Sequence, residues 1–174
     1  MSDNSDDQEH LWRDVRPAGV LPGSGWPVAI FDPVRRLRAL AGGIRGAVVI
    51  EQVIPAPLDV VWAYVSDLER SVPQSEWHVR SLSITRVEGD RLEADVQGVA
   101  GIQDRFTIVL RPGWCWMQGR ILYAGMAAVT VPDGTRIAWA GGFRLPGAGL
   151  CRPILRRSLT RSLRRLTSHI PTSV

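Results

Sequence analysis

The hydrophobic period of the chain changes three times, and each change marks a new kind of element. A β-branched run, Val48-Val49-Ile50-Glu51-Gln52-Val53-Ile54, ends at Pro55 and predicts a strand over 47–54. Leu58, Val61, Trp62, Val65 and Leu68 then recur at helical spacing behind Pro57. Asp59 falls in the first turn of that helix, where the backbone dipole favours a negative charge. A short broken helix or turn is expected around Pro73. From Val79 the period becomes two. Leu82 and Ile84, then Leu92, Ala94 and Val96, then Phe106, Ile108 and Leu110 each alternate with polar neighbours. Glu88-Gly89-Asp90, Pro112-Gly113 and Pro132-Asp133-Gly134 are turn sequences. Further strands are expected over 114–122, 126–131 and 135–145. Behind Pro153, Leu155, Leu159, Leu163, Leu166 and Ile170 form one apolar stripe, with Arg157, Arg161 and Arg164 opposite. Burying one such Leu is worth roughly 1.5–3 kcal/mol, so the stripe must dock, and a sheet is the one large apolar surface on offer.

These elements describe an α+β domain: a strand, two helices, six strands in antiparallel succession and a long C-terminal helix. The predicted boundary lies at residue 46. Residues 1–45 read as an arm. Its polar start (Ser2 to Asp7) should be disordered, and Pro17, Pro22, Gly23, Gly25 and Pro27 deny the next stretch regular structure. Asp32-Pro33 is a helix-start signal, Val34, Leu37, Leu40 and Ala41 follow at helical spacing, and Gly42-Gly43 is a stop.

Composition narrows the chemistry. Of 174 residues 45% are hydrophobic, enough for a core without disulfides or a structural metal. All 21 basic residues are arginine, which excludes a lysine Schiff base or a P-loop lysine and suggests a GC-rich bacterial genome. Cys115 and Cys151 are too far apart for a zinc or redox pair, and His10, His78 and His169 share no ligand spacing, so no metal or other cofactor is expected. Gly147-Ala148-Gly149 starts like a dinucleotide fingerprint, but Arg152 replaces its third glycine and no βαβ unit surrounds it. The first residues are acidic rather than signal-like, and no apolar run is long enough to span a membrane, so a cytoplasmic location is expected.

The block Val49 to Asp67, Gly134-Thr135-Arg136-Ile137-Ala138-Trp139 after a turn, Pro146 after the last strand and the Leu-spaced terminal helix together resemble the SRPBCC superfamily. These are the START or Bet v 1-like helix-grip proteins, with polyketide cyclase/dehydrase-like members nearest. The resemblance covers about 47–170. It implies a curved sheet gripping the last helix around a cavity for a small hydrophobic ligand. Ala94, Gly98, Ala127 and Gly141 read as small residues that would leave that volume open; the alternative is that tryptophan rings plug it. Lining candidates are Trp62, Trp77, Phe106, Trp116, Met117, Gln118, Trp139, Phe143, Leu155, Leu159 and Leu163. Strand phase does not decide whether Trp116 and Gln118 or Cys115 and Met117 face inward.

Three residues are candidates for chemistry. His78 titrates near neutrality and could act as acid or base. Tyr123 could donate to an oxyanion, against a packed ring at a strand end. Arg105 could clamp a carboxylate or enolate, although alternation with Phe106 and Ile108 points it outward. Two functions follow: binding of a polyketide, isoprenoid or lipid-type ligand with cofactor-free cyclisation as its chemistry, or an interaction module. The module would use the arginine-rich helix (Arg152, Arg156, Arg157, Arg161, Arg164, Arg165) and the arm against a protein or anionic partner. Nucleic-acid binding is not expected, since no aromatic residues interleave with the arginines, and the short apolar runs argue against membrane insertion. The sequence leaves homo-oligomerisation open.

Overall fold

The computed structural model describes residues 31–170. All the described helices and strands belong to one compact unit that begins at Asp32. The expectations for 2–7 and 17–27 lie outside the described residues.

Helix α1 (Pro33–Gly42) begins as its sequence requires. The Asp32 carboxylate accepts the Arg35 N–H at 2.9 Å, and Pro33 occupies the first turn. Strand β1 (Val48–Ile54) leads into α2 (Leu58–Ser66) and α3 (Leu68–Ser75), which break at Asp67. α3 runs through Pro73 as a helix. Its last turn is closed by Ser75 Oγ donating to the Ser71 carbonyl at 2.6 Å and by Glu76 N–H donating to Val72 at 2.8 Å. Strands β2 (Val79–Glu88), β3 (Arg91–Gly98), β4 (Gln103–Arg111), β5 (Trp114–Gln118), β6 (Leu122–Val131) and β7 (Gly134–Phe143) follow, then α4 (Arg152–Ser168). They form one curved sheet in the order β1-β7-β6-β5-β4-β3-β2, with every neighbouring pair antiparallel.

The turn between β5 and β6 differs from the expected boundary. β5 stops at Gln118, and β6 already starts at Leu122 rather than at Met126. Asp104 is the cause: its carboxylate accepts the Arg120 N–H at 3.0 Å and fixes a tight turn, which Gly119 N–H to Leu122 closes at 2.8 Å. A side chain at Gly119 would sit 2.6 Å from that carboxylate, so glycine here admits a close approach.

The two faces of the sheet carry different helices. Ile108, Cys115, Met117, Met126, Ile137 and Trp139 belong to the concave face and share one buried cluster with Val61, Val65 and Leu68 of the helix pair. α4 covers the β1–β7 side of this face and packs against α3, and it inserts Leu159, Leu163 and Leu166. The opposite face receives α1. Val34, Leu37 and Ala41 pack there on Trp114, Ala127, Ala138 and Ala140.

The small residues therefore act differently from the sequence reading. Ala127 lies under α1, on the face away from α4. At Gly141 an added Cβ would meet the Leu159 side chain at 3.2 Å, so the missing side chain admits the helix. Ala94 is the one of the four within the buried concave-face cluster.

Candidate functional site

The middle of the concave face is apolar and adaptable. Phe106, Ile108, Cys115, Met117 and Met126 form its wall, all buried. Thioethers repack readily, so Met117 and Met126 make this wall adaptable. Burial pushes the Cys115 thiol up to about 12, so it packs as a small apolar group rather than as a nucleophile.

Trp139 is the exception in this wall. Register places it between Ile50 of β1 and Met126 of β6. It is 1% exposed, and its indole N–H has no hydrogen-bond partner among the described residues. A buried donor left unpaired costs roughly 1–3 kcal/mol.

A polar cluster borders the same core where α3 meets α4. Glu76, at the C-terminal cap of α3, is buried and accepts a hydrogen bond from Ser162 Oγ of α4 at 3.0 Å. The His78 Nδ1 lies 3.4 Å from the same carboxylate oxygen. Burial, only partly offset by the Ser162 hydrogen bond and the Arg165 charge, raises the Glu76 carboxyl to about 7. Burial also lowers His78. Both shifts favour neutral forms, so proximity here does not make a fixed ion pair.

Glu76 and Ser162 were not singled out in the sequence. Ser162 did leave a signal. On a helical wheel it falls about 20° beyond Leu155, a polar residue bordering the arc of Leu155, Leu166 and Leu159. Glu76 follows a proline-containing helix in no periodic segment and left none.

The candidates named from sequence divide between the two faces. Phe106, Met117, Trp139, Leu159 and Leu163 come together in the concave-face cluster, and Trp62 and Leu155 pack at its margin. Phe143 is half-buried at the end of β7, in phase with Trp139. Trp77 is 60% exposed and stands edge-on to the His78 ring. Trp116 packs against the α1 cluster and stacks on Tyr123 with ring centroids 5.4 Å apart. Gln118 shares that strand phase and is exposed. Tyr123 is buried there, its hydroxyl out of solvent and without a partner among the described residues, and burial raises its pKa. Arg105 is exposed and its Nε pairs with Asp95 at 2.9 Å. Trp116, Gln118, Tyr123 and Arg105 thus lie away from the concave wall, because β4, β5 and β6 turn their Ile108, Met117 and Met126 phase toward it.

Among solved structures the chain has the helix-grip fold of START and Bet v 1-like proteins. It is similar to the Zhui aromatase/cyclase of a Streptomyces species, at 15% identity and TM-score 0.54, over 70% of this chain and 91% of that one. It is also similar to the di-domain aromatase/cyclase StfQ of the steffimycin biosynthetic pathway, at 11% identity and TM-score 0.58, over 76% of this chain and 53% of that longer one. A START superfamily protein from Mycobacterium smegmatis matches at 18% identity and TM-score 0.53, over 71% and 96%. No family model and no curated protein matches the sequence. No described helix is long and apolar enough to cross a membrane.

Proposed function

We propose that this chain binds a small, largely apolar molecule of polyketide, isoprenoid or lipid type between the sheet and α4. The observation that carries the reading is the unpartnered Trp139 N–H inside an apolar wall. A ligand carbonyl or hydroxyl oxygen would satisfy that donor, while Met117 and Met126 repack around its rings or chain. The helix-grip fold supports it, since two of the similar structures are aromatase/cyclases.

Cyclisation is the chemistry that suits such a site. A reactive chain held in a bent conformation, away from water, reacts mainly through positioning. Glu76, poised near neutrality, and His78 beside it are the groups suited to exchange protons with it.

Native mass spectrometry of freshly purified protein, followed by titration with a hydroxylated anthraquinone, tests the binding claim. This probe is tricyclic, carries no charged group and has carbonyl acceptors. Saturable binding, weakened about three- to tenfold in Trp139→Phe, is expected for the loss of one hydrogen bond. Absence of both a co-purifying ligand and saturable binding would remove the proposal.

A further inference from the structure

The apolar side chains exposed around the start of α4 are not scattered. Leu145 is 53% exposed, Leu150 88% and Ile154 73%, all within one continuous stretch leading into α4. Isolated exposed leucines need no explanation, but three within ten residues, on a stretch whose only charged residues are arginines, do.

That charge is positive. Between Arg152 and Ser168, α4 contains no acidic residue. Ile154, Arg157, Arg161 and Arg164 fall within an arc of about 100° on the side away from the buried leucines. None of these arginines pairs with a described carboxylate. Two open grooves, of about 560 and 370 Å³, run between the edge strand β1 and α4. Arg156 lines both, with Arg164 in the larger and Arg152 in the smaller. Glu51 also borders the larger groove, where its carboxylate is already taken by Arg38.

Exposed leucine and isoleucine tips next to unpaired arginines fit one partner chemistry, an anionic lipid surface. The apolar tips enter the boundary between headgroups and acyl chains, and the guanidinium groups meet lipid phosphates. A nucleic acid would use the arginines and leave Leu150 and Ile154 in water. We infer that the stretch from Leu145 through α4 docks the protein on an anionic bilayer, with Arg157, Arg161 and Arg164 meeting the lipid phosphates. This docking is peripheral, and it stands independently of any ligand under the sheet.

Co-sedimentation of the full chain with vesicles tests it. Vesicles of phosphatidylcholine alone are compared with vesicles of phosphatidylcholine and phosphatidylglycerol, with a DNA duplex as a competing polyanion. Binding to the anionic vesicles alone, released by salt, is expected. Leu150→Ser with Ile154→Ser should weaken it about tenfold or more. Arg157→Gln and Arg161→Gln should each weaken it about fivefold. All four positions are exposed, so unchanged thermal melting of the variants certifies their fold. Failure to bind anionic vesicles overturns the proposal, as does equal binding to neutral ones. Wild-type binding by the Leu150/Ile154 variant, or preference for DNA, overturns it in favour of a purely electrostatic partner.

Discussion

Ser162 of α4 donates a hydrogen bond to the Glu76 carboxylate across 86 residues of sequence, and this bond joins the end of α3 to the gripped helix. Its acceptor is buried and titrates near 7, well above its usual 4.5. A carboxyl that binds its proton more tightly when folded stabilises the fold fully below pH 4.5, and this contribution is lost as pH rises toward 7. Across that window the loss is of the order of 3 kcal/mol. His78, whose pKa is lowered by burial, acts oppositely and costs stability below its usual 6.5. Glu76→Gln keeps an acceptor for Ser162 and removes the charge. Melting curves should show this variant more stable than wild type at pH 8 and nearly equal at pH 5.

Tyr123 offers a second test of buried polar groups. Its hydroxyl has no partner among the described residues, and the ring lies between Trp116 and the backbone at Gly142. Tyr123→Phe removes an unsatisfied group without changing shape. Denaturant unfolding should find it equal to wild type or up to about 1 kcal/mol more stable. Ligand binding should be unchanged, since this residue lies on the face away from α4.

Glycine positions should rank by what fills the space over them. At Gly142 an added methyl would fall 2.0 Å from the Tyr123 oxygen, whereas at Gly141 it meets the movable end of Leu159 at 3.2 Å. Gly141→Ala should cost about 1 kcal/mol, and Gly142→Ala about 3 kcal/mol or a failure to fold. Equal costs in chemical denaturation would contradict this packing.

The cysteines should react very differently. Cys151 is exposed, and Cys115 is buried with its thiol pushed up to about 12. A thiol reagent should label Cys151 alone in the native protein and both residues in denaturant. Mass spectrometry of the labelled chain counts them.

Much of the fold was legible because two signals agreed. The alternation of Phe106, Ile108 and Leu110 and the Leu159, Leu163, Leu166 stripe each name a buried face, and those faces meet. The site was less legible. In β5 both phases are apolar, so periodicity could not say that Trp114 and Trp116 lie under α1 while Cys115 and Met117 line the concave wall. That choice is made by α1, whose Leu37 needs the space above Gly125, where an added Cβ would lie 2.8 Å from it. The Gly119–Ile121 turn was hidden for a similar reason: the Asp104 carboxylate that fixes it comes from another strand. Glu76 and Ser162 meet only in three dimensions.

In the proposed complex Trp139 presents its N–H to a guest beneath the gripped helix. Nitrogen-resolved NMR of the indole groups tests this most directly, because the chain's 7 tryptophans give separate N–H signals and Trp139→Phe assigns the relevant one. Adding the hydroxylated anthraquinone should shift the Trp139 signal downfield as its donor gains a partner, while exposed Trp77 stays in place. A Trp139 signal that does not move while the compound binds would place the guest away from the concave face and rule out this site.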